Sequence, residues 1–360
     1  MTLAETYAPK KTFTEDADCV GGLFFCSLEE GLKDAASRYP CGKLLFFTDE
    51  KNYTAFAEQI TLPRAVSVCF SGKDALPLFA LHDGVTAIFA AGGADVMRSA
   101  RYYAAVKRIG CVLFPMDARL IGVLEEEAEI CVNGTRGRVS LSQARVYCDI
   151  DRLQPTLSRA YARLLLSRLA TVERRAIDLF ERTCSNTDDA FRATLAPSGG
   201  WSARELILRN ATLSRIGALG EGEVLARVLE KEGDQTPEWT AFVLLSALYG
   251  AFFTRGAPAK YVVPNYKERL KKVGREEDYA RLHIPTGEEM LRRSQRLERA
   301  RKSLITDFKG LFRGDEEREY FRFGGAPAQT IPVQFLFRLP EYAEGGLSCY
   351  LRDFGLLEKE

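Results

Sequence analysis

The stretch Ala90-Ala91-Gly92-Gly93-Ala94-Asp95-Val96-Met97-Arg98-Ser99-Ala100-Arg101 holds the residues best suited to chemistry on a ligand. It follows an apolar run and opens a helical pattern. Small residues at such a turn let the backbone approach a diphosphate, while the free N–H groups and dipole of the helix N-terminus stabilise its charge. The same turn has a plainer use, with Asp95 as an N-cap that accepts those N–H groups itself. Metal chemistry through nitrogen is bounded by His82 and His283, the chain's two histidines. The first closes a helical pattern and the second lies in the loop-like Arg281-Leu282-His283-Ile284-Pro285. Glu173, Glu221 and Glu223 offer oxygen to a hard cation, although nothing in their spacing requires one.

Other chemistries are less well provided. Nine cysteines, scattered and without a C-x-x-C pair, read as reduced core thiols of a cytoplasmic protein. No G-x-S-x-G nucleophile turn is present. Ser198-Gly199-Gly200-Trp201-Ser202 reads instead as a loop followed by a helix, with Ser202 and Glu205 forming a capping box. The basic run from Arg292 to Lys302 has Glu288, Glu289 and Glu298 three or four residues from its cations and Asp307 five from Lys302, so it reads as a solvated helix face. With 50 basic against 49 acidic side chains the net charge is +1, too small to attract nucleic acid or an anionic membrane. The longest apolar helical run, Ala241 to Phe253, is too short to span a bilayer.

The elements that would position these residues fall into two regions. Over residues 43–150 a short β-branched or aromatic run, a turn and a helical pattern recur. Lys43–Thr48 precedes Glu50–Gln59, Ala65–Phe70 precedes Lys73–His82, Thr86–Ala90 precedes Asp95–Ile109, and Cys111–Phe114 follows. Such alternation implies βαβ crossovers and a doubly wound parallel sheet. Glu129–Asp149 adds two strand-like runs around Asn133-Gly134, as in a hairpin. From about Asp151 the periodicity becomes helical: Leu157–Cys184, Ala203–Arg215, Glu223–Glu232, Glu238–Phe253 and Glu288–Phe308. The last forty residues, interrupted by Gly324-Gly325, Pro327, Pro332 and Pro340, suggest irregular packing or an extra hairpin. The expected architecture is an α/β domain, 1–150, with a doubly wound parallel sheet of Rossmann type, followed by an all-α domain, 151–360.

The order of strand, Thr48-Asp49, strand, Phe70-Ser71-Gly72, strand, Gly92-Gly93-Ala94-Asp95-Val96-Met97-Arg98, strand, then Pro115-Met116 resembles the dehydroquinate synthase and iron-containing alcohol dehydrogenase superfamily. It is most similar to its glycerol-1-phosphate dehydrogenase branch. The resemblance covers roughly residues 20–260 and implies NAD or NADP over a G-G-G-S-x-x-D-x-x-K turn, with Asp49, Gly92, Gly93, Ala94, Asp95, Pro115 and Met116 as the cofactor-binding positions. It also implies a divalent metal held by an aspartate and two histidines, whose positions fall here on Arg163, Val224 and Trp239.

The departures carry their own expectation. Asp95 stands where a small hydroxyl residue would meet the pyrophosphate, and two like charges about 4 Å apart at an effective dielectric of about 20 cost roughly 4 kcal/mol. Arg98 and Arg101 replace the superfamily's aspartate and lysine, and either rebind another phosphate or solvate the helix. Valine and tryptophan cannot ligate a metal, so none is expected, and the Arg163 guanidinium is the candidate to hold an anion in its place. The reading is therefore a divergent member of the superfamily that has lost metal-dependent catalysis and binds a nucleotide or phosphorylated small molecule. The alternative is an NAD(P)-dependent polyol or glycerol-1-phosphate dehydrogenase with a rebuilt site. A small-molecule ligand is expected, nucleic acid and membrane partners are not, and a homo-oligomer is compatible with either reading.

Overall fold

A computed structural model describes residues 19–20, 22–57, 64–70, 84–183, 200–216, 220–256, 265–272, 274–328, 333–343, 345–355 and 357. The expected helix Lys73–His82, with His82, lies outside them. The chain divides into two compact units, residues 1–160 with 200–217, and residues 161–199 with 218–360.

The first unit is built on a seven-stranded sheet. Its strands are β1 (Cys19–Val20), β2 (Leu23–Phe25), β3 (Lys43–Asp49), β4 (Ala65–Phe70), β5 (Val85–Gly92), β6 (Gly110–Pro115) and β9 (Arg145–Cys148), in the order β1-β2-β9-β6-β5-β3-β4. All neighbours are parallel except β1 with β2. The four apolar runs read as strands are β3, β4, β5 and β6, and for β3, β5 and β6, which lie inside the sheet, the reason is visible in their burial. Leu44, Phe46, Ala87, Phe89, Ala91, Val112, Phe114 and Tyr147 alternate onto one face and form a core with Phe24, Leu28 and Ala35. The residues between them, among them Leu45, Phe47, Ile88, Ala90 and Leu113, are just as buried. A sheet apolar on both faces is what crossover helices cover. Helix α1 (Leu28–Arg38) starts from a Ser27/Glu30 capping box, α2 spans Glu50–Ala57, and α3 (Ala94–Lys107) packs against β3, β5 and β6.

Two results differ from the sequence reading. The Glu129–Asp149 region does contain a hairpin, β7 (Glu127–Val132) with β8 (Thr135–Ser140) turning at Asn133-Gly134, both in the left-handed region. Its last strand, however, is β9, which leaves the hairpin and inserts between β2 and β6. In addition, helix α6 (Ala203–Ile216) packs with the first unit, where Asn210 donates to the Ala160 carbonyl at 3.0 Å and Arg204 lies 4.6 Å from the Phe25 ring centre. Its Ser202/Glu205 capping box is formed as expected.

Helices α4 (Ile150–Leu153) and α5 (Leu157–Glu181) follow β9, and the second unit is helical: α7 (Gly220–Lys231), α8 (Pro237–Arg255), α9 (Tyr266–Lys272), α10 (Gly287–Gly310), α11 (Glu316–Arg322), α12 (Gln334–Tyr342) and α13 (Leu347–Asp353). Among the described residues of the last forty, α12 and α13 are helical, where irregular packing or an extra hairpin was expected, while 325–328 form no regular element. Pro340 is accommodated inside α12, near its C-terminal end. The basic run lies on α10 as expected, but only part of it is a solvated face. Arg292 and Arg301 pair with Glu288 and Glu298 on the same helix. Arg293 instead reaches Asp353 and Glu181, and Arg296 donates to the Phe180 carbonyl. Among the described residues no helix is long and apolar enough to cross a membrane.

Candidate functional site

The C-terminal ends of β5 and β6 and the first turn of α3 enclose an open pocket of about 220 Å³, lined chiefly by Gly92, Gly93, Ala94, Pro115, Asp117 and Arg119. This is where a parallel sheet presents its loops. Gly92 has φ +156°, and a Cβ there would lie 2.7 Å from Asp49 Oδ2 and 2.9 Å from Val96 Cγ2, so the close approach requires glycine. The pocket wall opposite is the turn after β6. Leu120 adopts φ +52°, and Gly122 packs its Cα against the Ala94 carbonyl, which a Cβ would approach to 2.8 Å.

The N-cap of α3 is Gly93, with no side-chain cap, and Asp95 stands in the first turn. The reading of Asp95 as N-cap is therefore corrected: its side chain is exposed and does not line the pocket. The first helix bond runs from Met97 N–H to the Gly93 carbonyl at 3.1 Å. The carboxylate that meets the turn is that of Asp49. Its Oδ2 accepts Gly93 N–H at 3.3 Å, while Oδ1 accepts the Asn52 backbone and side-chain N–H groups at 3.0 and 2.7 Å. Asp49 thus caps α2 and touches the glycine turn of α3 at once. Met116 lies at the base, half-buried against the core, and its N–H donates to the Gly92 carbonyl at 3.2 Å.

The two arginines of α3 neither face a ligand nor solvate the helix. Arg98 makes a bidentate pair with Glu125, with both bonds at 2.9 Å, and Glu125 also accepts Gly122 N–H at 3.0 Å. Arg101, 4% exposed, donates to the Ser142 and Gly122 carbonyls at 2.8 and 3.0 Å, and burial lowers its pKa. Both fasten the loop after β6 onto α3 and so fix the pocket wall. Sequence spacing gave no sign of this, because the acceptors are mostly backbone carbonyls. The charged pair that does line the pocket was also missed. Arg119 Nε lies 3.0 Å from both Asp117 oxygens, and Ser214 Oγ donates to the Arg119 carbonyl at 3.2 Å. Burial alone would raise the Asp117 carboxyl, but the Arg119 guanidinium outweighs it and holds Asp117 below the usual carboxylate range.

The positions assigned by resemblance to metal ligands lie in the second unit. Their helices pack together: Gly222 of α7 abuts Leu166 of α5, and Tyr249 of α8 donates to Glu221 of α7 at 2.7 Å. Arg163 is 4% exposed on α5, and Val224 is half-buried on α7. Trp239 is 6% exposed and stacks on Tyr320 with ring centres 4.2 Å apart and planes within 5°. A guanidinium, an isopropyl group and a stacked indole do not make a donor set for a divalent metal. Among the described residues no three His, Cys, Asp or Glu side chains converge on one point. Glu223 pairs with Arg227, whereas Glu173 and Glu221 are brought together in the interior.

No protein-family profile matches the chain, and no curated protein is detectably similar to it. Solved structures align with it over most of their length. A probable glycerol dehydrogenase from Sinorhizobium meliloti 1021 aligns over 80% of this chain and 97% of its own, with 18% identity and a TM-score of 0.44. Glycerol dehydrogenase from Schizosaccharomyces pombe aligns over 86% and 96%, with 12% identity and a TM-score of 0.43. An iron-containing alcohol dehydrogenase from Corynebacterium glutamicum aligns over 92% and 94%, with 11% identity and a TM-score of 0.44.

Proposed function

We propose that this chain binds a phosphate-bearing small molecule at the Gly92-Gly93 turn and that metal-assisted hydride transfer is not among its activities. The observation that carries the reading is the open first turn of α3. A 14-residue helix begins at Gly93 without a side-chain cap, at a pocket whose lining also includes Met97, Leu120, Ile121 and Val123. Its free N–H groups and dipole favour an anion. The pocket is small, so the group that enters it is a phosphate, or the head of a phosphorylated small molecule, and not an intact dinucleotide. Arg119 adds positive charge on the opposite wall, moderated by Asp117.

The Asp49 carboxylate on Gly93 N–H repels a phosphate and a pyrophosphate alike, so it weakens either ligand and does not choose between them. The exposed Asp95 adds a weaker, screened repulsion from outside. At the positions of the metal ligands, Arg163, Val224 and Trp239 supply no lone pair to a cation. Oxidation of an alcohol there would lack the group that stabilises the alkoxide. Calorimetric titration with inorganic phosphate, NAD(H) and NADP(H), with elemental analysis of the purified protein, tests the reading. Saturable phosphate binding without micromolar dinucleotide binding is expected. Micromolar dinucleotide binding together with stoichiometric zinc, iron or nickel would overturn it.

A further inference from the structure

The second unit buries two carboxyl groups on one hydroxyl. Glu173 of α5 is 5% exposed, Glu221 in the first turn of α7 is 2% exposed, and Tyr249 of α8 is fully buried between them. Glu221 accepts Ser348 N–H at 2.9 and 3.0 Å, the Ser348 hydroxyl, and the Tyr249 hydroxyl at 2.7 Å. Glu173 Oε2 accepts Glu221 N–H at 3.2 Å and lies 3.4 Å from the same Tyr249 oxygen. Ser348 opens α13, and Gly346 before it packs directly on the Glu221 carboxyl. Glu221 is therefore the point at which the C-terminal hairpin of α12 and α13 is held.

Counting hydrogens places a proton. Tyr249 has a single hydroxyl hydrogen, and the shorter contact assigns it to Glu221. Glu221 is then held by three donors, whereas Glu173 Oε2 keeps one backbone N–H and a long contact with a hydroxyl whose hydrogen points elsewhere, so Glu173 is the carboxyl that a proton best suits. We propose that Glu173 carries a proton while the α12–α13 hairpin is docked, and that loss of this proton to solvent loosens the hairpin by leaving two buried carboxylates on one hydroxyl. Of the charges facing the pair, Arg174 of α5 favours ionised Glu173, but by less than burial and the Glu221 charge oppose it. Tyr249 contributes from α8 and Cys349 from α13, and α12, which packs on α7, adds the buried Glu341. Burial first, then the Glu221 charge, raises Glu173 well above the usual carboxylate range, and burial pushes Glu221 up to about 7.

The sign follows from linkage. A carboxyl raised in the docked state favours docking fully below its ordinary pKa, and that contribution is lost as pH rises towards the docked value. One linked proton weakens docking about tenfold per pH unit across that window. Hydrogen exchange of the full chain tests this through the protection factors of residues 347–353. Between about pH 6 and about pH 8 the wild type should lose protection there, by up to roughly 100-fold, and Glu173→Gln, permanently neutral at that position, should lose clearly less, keeping only what Glu221 contributes. Ser348→Ala keeps both carboxyls, so its protection should be lower at both pH values with the slope retained. A flat wild-type profile, the same fall in Glu173→Gln, or loss of the slope in Ser348→Ala would each overturn the proposal. Should Glu173→Gln fail to fold, the wild-type and Ser348→Ala profiles still decide it.

Discussion

Replacing Asp49 by asparagine separates two ways in which the glycine turn can meet a ligand. The amide oxygen can keep the bonds from Asn52 that cap α2, made now by Oδ1 at 3.0 and 2.7 Å. The amide nitrogen then faces Gly93 N–H, and the 3.3 Å bond there is lost. That bond is long and half-buried, so its loss should cost about 0.5–1 kcal/mol of stability. For phosphate the change removes a like charge. At about 5 Å and an effective dielectric of about 40–80, suited to a half-exposed pair, this repulsion is about 1–2 kcal/mol. Inorganic phosphate should therefore bind Asp49→Asn roughly 5- to 30-fold more tightly than wild type by calorimetric titration. A dinucleotide laying ribose hydroxyls on Asp49 would lose an acceptor and bind more weakly. Phosphate affinity that is unchanged or lower in a folded Asp49→Asn protein would refute the reasoning.

Other expectations follow from particular contacts. Gly92→Ala would force a Cβ to within 2.7 Å of Asp49 Oδ2 and 2.9 Å of Val96 Cγ2; it should cost about 2–3 kcal/mol by denaturant unfolding and abolish phosphate binding. Trp239→Ala, which removes the stack on Tyr320, should cost about 3–5 kcal/mol, and a smaller loss in the same assay would show that the indole is not a core element. Native-state alkylation followed by mass spectrometry should label the exposed Cys41 and Cys69 first. Cys111 should stay unmodified at neutral pH, because burial pushes its thiol up to about 12.

The α/β half was legible because its strands are buried on both faces, so that Lys43–Asp49 or Val85–Gly92 reads as an uninterrupted apolar run. Strands β1, β2 and β9 were not recognised as members of the same sheet. They are two to four residues long, and it is β9's insertion between β2 and β6, a tertiary fact, that joins them to it. The glycine turn was visible from spacing, whereas its electrostatics were not. Asp95 and Asp49 are both carboxylates beside a helix start, and only the direction of each side chain tells the one in solvent from the one on Gly93 N–H. Glu173 and Glu221 were noted as cation ligands without a required spacing. Their meeting on Tyr249 depends on three helices whose packing no local pattern records.

The insertion of β9 also orders the way the chain can assemble. Leu28 N–H donates to Asp149 Oδ2 at 2.8 Å, a bond spanning 121 residues, while β3, β4, β5 and β6 find one another over much shorter loops. Closing the longer loop rather than one of about ten residues costs about 2 kcal/mol more in chain entropy. Residues 19–38 thus leave the ribosome well before their partner strand and are secured late. Until residue 148 is made, β2 has only β1 to pair with and β6 presents an open edge, an invitation to aggregate. A nascent chain halted shortly before residue 145 would hold the pocket's glycine turn and most of its sheet, yet leave residues 19–38 without their place beside it.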